Sequence, residues 1–401
     1  MASNLARAAT AAPNPAPISA AQVKRAHRSI GIHFLMSGIA VSSWAPMVPL
    51  LKQKLGLDDA TLGFVLLGMG AGGLVTLPVS GFVMHRFGTR RITAGAAPLV
   101  CGMLPVIAFA PTPWLLAVAL FLFSASLGSL SIGMNAQAIE VDKLTRKPVL
   151  SSIHGLYSLG SLSGSALMSL CLGAGAPLWL ATSALATALC GMSLSQARNL
   201  LPSDAAPAHE RTARLVLPPP RLLLLGILCG FLFMAEGSML DWSAVFLHGT
   251  RGVDVSLAGF GYTAYAVAMT SSRFVGDWLI HRFGSVRMLR GGALVGILGI
   301  LLAVVVPWPA AAYLGFGIVG MGLANTVPVV FAAAGRVSGL KSSVALPLVT
   351  SIGCSGLLVG PAIIGLVAEG VGLPLALAGI AGLLAFVAYR ARAIEPSARL
   401  A

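Results

Sequence analysis

The 401-residue chain is 57% hydrophobic and only 9% charged, with a mean hydropathy of +0.89. A soluble globular protein carries about 25% charged residues, so composition excludes that class and implies a polytopic membrane protein. The formal charge of +14 then reads as the positive bias of cytoplasmic membrane loops, not as a nucleic-acid surface.

From the N-terminus, residues 1–21 form an Ala/Pro-rich polar tail, and Lys24, Arg25 and Arg28 precede the first long apolar run. That run is too long for a signal-peptide h-region and reads as a retained helix. Counting stretches of roughly 20 apolar residues predicts six spans at 29–51, 60–84, 92–110, 113–139, 149–173 and 176–195. After a polar linker ending in Pro218-Pro219-Pro220, six more are expected at 221–247, 257–280, 288–306, 309–334, 342–368 and 371–389. The domain organisation is therefore a disordered cytoplasmic tail (1–28), a six-helix bundle (29–195), a cytoplasmic linker (196–220), a second six-helix bundle (221–389) and a second cytoplasmic tail (390–401).

The charges test that count. Of the 26 Lys and Arg residues, all but Lys52, Lys54, Arg251 and Arg273 fall in or at the edge of segments on the side that carries both termini. Such asymmetry marks the cytoplasmic side, and a miscount by one helix would scramble it. The chain is expected in the cell membrane, with the lipid bilayer as its surroundings and both termini cytoplasmic.

The two halves are copies. His85-Arg86-Phe87-Gly88 returns as His281-Arg282-Phe283-Gly284, and the same ungapped offset pairs Gly56 with Gly252, Asp58 with Asp254, Gly63 with Gly259, Phe64 with Phe260, Val79 with Val275 and Arg91 with Arg287. A repeat of half the chain inside an apolar sequence means two similar membrane halves in series. In the loop after span two, Gly88 ends the helix and permits a tight turn, while Arg86, Arg90 and Arg91 hold the loop inside and can bond exposed helix-end carbonyls.

This loop resembles the signature of the major facilitator superfamily, G-x-x-x-D-R-x-G-R-R between spans two and three. Within the superfamily the chain is most similar to bacterial members related to the fucose permease branch. Trp44-Ala45-Pro46, Met134-Asn135-Ala136-Gln137-Ala138 with Glu140, Glu236-Gly237 with Asp241-Trp242, and the Gly356 to Pro361 stretch carry that similarity. The resemblance implies an all-α membrane fold of twelve helices in two pseudo-symmetric six-helix bundles, and a solute cavity lined by spans one, four, seven and ten. It also implies a conformational latch at His85, Arg86, Gly88, Arg90 and Arg91 and at Arg282, Gly284 and Arg287.

Two departures alter what carries over. The signature acid is His85 here and His281 in the second copy, so an acid-mediated latch is in doubt; Arg273 and Asp277, four apart on one helix face, are expected to take its place. In span four, the position where fucose-permease-like carriers place a protonatable acid, four residues before Asn135, is Ser131.

Acids within spans therefore gain weight, because an acid at a helix centre costs about 2.5–3.5 kcal/mol and normally faces a cavity or a partner. Glu236, fifteen residues into span seven, is the preferred coupling or substrate residue. Asp241 lies nearer the outer end, about 140° around the helix, and reads as structural or vestibular. Glu140 and Asp142 pair with the lysines and arginines around them at the inner surface. Span five carries a polar stripe, His154, Tyr157, Ser158, Ser161 and Ser165, that must meet other helices or water. Asn135, Gln137, Asn325 and Trp44 complete the substrate-facing candidates, each weighed against plain interhelical bonding. Gly356, Gly360, Pro361 and Gly365 bend span eleven and let it pack closely.

The five cysteines lie in apolar runs without metal-ligand spacing and read as small core residues. No phosphate loop, metal motif or nucleophile elbow occurs. A monomeric, non-enzymatic secondary transporter of a small organic solute is expected, coupled to protons and needing neither cofactor nor metal. Drug or metabolite efflux by antiport, passive facilitation and membrane sensing remain as alternatives.

Overall fold

The computed structural model describes residues 19–145, 150–202, 219–337 and 342–395. The expected tail up to residue 18, the middle of the linker (203–218) and the C-terminal residues from 396 lie outside them.

Among the described residues every regular element is helical. Span one is two helices, α1 (Ala20–Ser42) and α2 (Trp44–Leu55). The first begins well before residue 29, inside the expected tail, because Ser19 and Gln22 cap it reciprocally. The Gln22 N–H donates to Ser19 Oγ and the Ser19 N–H to Gln22 Oε1, satisfying two otherwise orphaned donors. Spans two and three form α3 (Asp59–Phe109), whose only non-helical residue is Gly88. Then come α4 (Pro113–Thr145), α5 (Leu150–Gly173) and α6 (Leu178–Ala197).

The second half opens with α7 (Pro220–Arg251). Span eight is in three pieces: α8 (Val255–Ala258), α9 (Phe260–Phe274) and α10 (Gly276–Phe283). Span nine is α11 (Ser285–Val305); span ten is α12 (Pro309–Leu323) and α13 (Thr326–Ala334). Spans eleven and twelve are α14 (Ser342–Val371) and α15 (Leu373–Tyr389), followed by a 3-10 turn at Arg390–Ile394. Eleven stretches among the described residues are long and apolar enough to cross a membrane. The interrupted span eight is the twelfth, its breaks leaving no single helix of sufficient length.

The sequence repeat recurs in the backbone. Gly88 and Gly284, which end the repeated tetrapeptide, share one unusual conformation (φ 75, ψ 156 and φ 82, ψ 156) at the two equivalent turns. A side chain would strain either position, which is why glycine stands at both. Asp58 and Asp254 each cap the following helix, accepting from the N–H of Thr61 and Ser256. Hydrogen bonds from Thr61 and from Ser256 hold these two carboxyls below the usual range.

In the first bundle α1 packs on α5, and α3 on α4 and α6; in the second, α7 packs on α14, and α12 on α9 and α11. Large apolar side chains cover the outer faces, with Trp114 and Trp308 about three-quarters exposed beside the short turns at the end opposite the termini. Tryptophan is favoured where hydrocarbon meets headgroups, so these residues mark one membrane boundary.

Candidate functional site

The bundles close on each other in the half of the molecule away from the termini. There α3 and α14 approach at backbone distance, since a Cβ built on Gly365 would lie 2.4 Å from Asp59 O and one on Gly63 2.7 Å from Pro361 O. The Asp59 N–H donates to Glu369 Oε2 at 3.2 Å. Where α5 crosses the start of α9, Ser161 Oγ and Tyr262 OH share a hydrogen bond of 3.2 Å, and Ser165 Oγ donates to Gly259 O at 3.1 Å. Trp44 Nε1 donates to Asp241 Oδ1 at 3.0 Å across the same seam. These four hydrogen bonds join the two bundles, and all of them lie in this half.

Just inside the closure is a cavity of about 380 Å³ lined by both bundles. Of the twenty described residues that line it, only Ser124, Tyr157, Glu236, Asp241, Tyr262 and Cys354 carry a polar group; the rest are apolar, Leu66, Met69, Phe123 and Phe233 among them. Among the described residues the Glu236 carboxylate makes neither a hydrogen bond nor an ion pair, and the charge that acts on it is Arg273.

Arg273 follows Tyr262 by eleven residues, which on a helix is about 20° of rotation and roughly 16 Å of rise. It therefore stands on the face of span eight that meets span five, three turns nearer the termini. His154 precedes Ser161 by seven residues and so shares that residue's face of span five. Both side chains are exposed, and they interact electrostatically. Along the cleft between the bundles, Arg273 and His154 thus lie nearer the termini, Glu236 deeper, and Asp241 at the closure.

Of the expected substrate residues, then, Glu236, Tyr157 and Asp241 line one cavity, His154 faces the approach to it, and Trp44 holds Asp241 from behind. Three others turn elsewhere. Asn135 Nδ2 donates to Ser131 O one turn back on its own helix at 2.8 Å. Asn325 lies in the break of span ten, where its Nδ2 donates to Ser272 O at 3.2 Å and its side chain covers Gly276. It ties the breaks of spans ten and eight together. Gln137 is 1% exposed and clamps the linker: its Nε2 donates to Thr89 Oγ1 (2.9 Å) and Leu201 O (3.1 Å), and its Oε1 accepts from the Leu201 N–H (3.0 Å). Gln137→Ala is expected to lower stability by about 1–3 kcal/mol, the cost of stranding buried polar groups. Thermal unfolding checks this, and transport per folded molecule should not change; a cavity role would show the reverse.

The latch residues also differ from expectation. Arg273 and Asp277 do not pair, because the chain leaves helical geometry at Val275 between them; the ion pairs among the described residues are Lys52–Asp59 and Lys143–Glu140. Arg273 Nε instead donates to Ala324 O at 3.3 Å. Arg90 Nη2 donates to Arg198 O just past the end of α6 at 3.2 Å, and Arg86 lies over the Phe87 ring. Arg91, Arg282 and Arg287 are exposed, and the side chain of His85 lies outside the described residues. Tyr262 in the cavity wall and the position of Arg273 along the cleft were not foreseen from the sequence. The signal was their spacing of eleven, which aims both at the polar stripe of span five.

The model of the Major Facilitator Superfamily matches residues 30–345. An uncharacterized MFS-type transporter of Yersinia pestis is 38% identical over 372 residues, covering 91% of this chain and 95% of that protein. The membrane protein MosC of Rhizobium meliloti is 31% identical over 352 residues, covering 87% and 85%. Among solved structures, the nucleoside transporter NupG superposes with a TM-score of 0.72 at 16% identity, over 92% of this chain and 98% of that one. A D-xylose-proton symporter gives 0.73 at 14%, over 92% and 97%; at such identities the likeness concerns the fold alone. A family match over most of the chain, a close full-length relative and two bundles around one cavity agree: the chain belongs to the Major Facilitator Superfamily of membrane transporters.

Proposed function

We propose that the protein is a monomeric secondary transporter that carries a small organic solute by alternating access, with Glu236 as the group that binds the solute or a proton. The carboxylate of Glu236, held in a cavity between two bundles without a hydrogen bond or ion pair among the described residues, carries this reading. Burying an acid is costly and is ordinarily offset by a partner; here solute or proton supplies what the protein does not. With both termini cytoplasmic, the closure described above seals the outer side, and the cleft opens inward.

The lining narrows the solute. About 380 Å³ lies at the small end of ligand cavities. Few polar groups line it, and the hydroxyls of a sugar would lose their water partners without replacement, at a cost of the order of 1–3 kcal/mol each. The solute therefore has an apolar body and a cationic or hydrogen-bond-donating end for Glu236. The kinship with the fucose permease branch is part of the same reading, supported by the meeting of Trp44 and Asp241, both from the stretches that resemble it. It extends to ancestry and not to a sugar substrate.

Counterflow in proteoliposomes is the test. Preloaded unlabelled solute should drive transient uptake of labelled solute, which a channel cannot produce. Efflux coupled to protons would appear as pH-gradient-driven extrusion from inverted vesicles. Thiol labelling of single cysteines at positions 90 and 287 should place both on the cytoplasmic face, and labelling on opposite faces would overturn the orientation.

A further inference from the structure

Among the described residues, grooves also lie away from the cavity, at the face carrying the termini. Two adjoin there, of about 810 Å³ and 610 Å³, and share Arg290 and Arg392. Arg390 belongs to the first, and Arg287 and Arg336 to the second. Five guanidinium groups from three separate places in the chain, the start of α11, the turn after α13 and the final 3-10 turn, thus converge on one place. Among the described residues the one carboxylate in either wall is Glu395, and no ion pair between described residues involves any of the five. A positive bias of loops places arginines on this face, but it does not make them converge.

The arrangement is built. Arg290 Nε donates to Ala388 O at 3.1 Å, and Arg221 bonds the carbonyls of Ala393 and Glu395. Ala391 and Ile394 are buried beneath the turn, which fixes the positions of Arg390 and Arg392 above it. The wall of the first groove is apolar on its membrane side, where Leu294 and Tyr389 are exposed on the outer surfaces of α11 and α15. A ligand here meets fixed positive charge at its head and hydrocarbon along its body.

We propose that this double groove is a binding site for an anionic phospholipid with two phosphates in its headgroup, of the diphosphatidylglycerol type. Two basic grooves with shared arginines suit two linked phosphates, since guanidinium groups bind phosphate through paired donors. The apolar wall continues into the surface that the acyl chains already cover. A soluble polyanion would use the arginines but not that wall. The site lies wholly on the second bundle, and the proposal does not rest on what the cavity carries.

The test is native mass spectrometry of the full chain released from bilayers of phosphatidylethanolamine with either diphosphatidylglycerol or phosphatidylglycerol. One diphosphatidylglycerol should be retained in preference to phosphatidylglycerol. The double variant Arg290→Gln/Arg392→Gln should weaken that retention on the order of tenfold or more, given the contribution of each basic residue near an anionic surface. Arg25→Gln/Arg28→Gln, which removes equal charge from the same face of the other bundle, should leave it unchanged. Arg290→Lys/Arg392→Lys should restore part of it, which separates lost charge from misfolding, and inorganic pyrophosphate should not displace the lipid. Equal loss in both glutamine variants, equal retention of the two lipids, or displacement by pyrophosphate would each overturn the assignment.

Discussion

Glu236→Gln is expected to abolish coupled transport while leaving the protein as stable as before, or more so. Glutamine keeps the volume and shape of the side chain but removes the charge. In the folded protein the carboxylate has no hydrogen bond or ion pair among the described residues and faces a cavity whose walls are largely apolar. Removing a charge from such a setting relieves a cost, so the melting temperature of the unliganded protein should hold or rise. Function should move the other way. A solute whose cationic or donor end meets this carboxylate loses about 2–5 kcal/mol when one partner of a desolvated pair is deleted, on the order of a hundredfold or more in affinity. Binding measured by ligand-dependent thermal shift, together with counterflow, gives the two signs separately. A variant that binds solute as the parent does and keeps the same pH dependence of transport would remove Glu236 from the mechanism. Gain in stability with loss of function is the signature of a residue retained for its task.

Gly160→Leu should have the largest effect on folding. A Cβ built on Gly160 would lie 2.1 Å from Leu35 O, and one on Gly38 2.2 Å from Tyr157 O, so α1 and α5 touch through their backbones on both sides of the crossing. Neither carbonyl can rotate aside without breaking its helix. Overpacking a well-filled core costs about 1–3 kcal/mol and more when backbone must move; here a whole helix pair would have to separate. We expect little folded protein in detergent by size-exclusion chromatography. Gly155→Ala is the control, because nothing lies within 4 Å of a Cβ there, and it should fold as the parent does. Misplacing α5 also moves Tyr157 and Ser161, so any folded residue of Gly160→Leu should have lost the cavity.

Much of this molecule was legible in the chain itself. The count of spans, the duplicated loop and its glycine turns follow from local chemistry: hydrocarbon admits only long apolar helices, and a left-handed turn admits glycine. Those requirements act on neighbours in sequence, and so the sequence displays them. Glu236, which lines the cavity, stands out in the sequence for the same reason, as an acid where hydrocarbon tolerates none without cause. The polar stripe of span five likewise announced that it must meet another helix.

Partners distant in sequence were not legible. Nothing in the residues said that Gln137 would clamp Leu201 or that Asn325 would fill the break beside Gly276. Trp44 reaching Asp241, and Arg273 facing the cleft instead of pairing with Asp277, were equally hidden. An amide in an apolar helix must find hydrogen-bond partners, but a cavity, a helix break and a linker carbonyl all satisfy that need, and only packing selects among them. The sequence by itself determined that this chain spans the membrane as two copies of one unit. The tertiary structure alone decided which partner each buried polar group finds, because that depends on which helix faces meet.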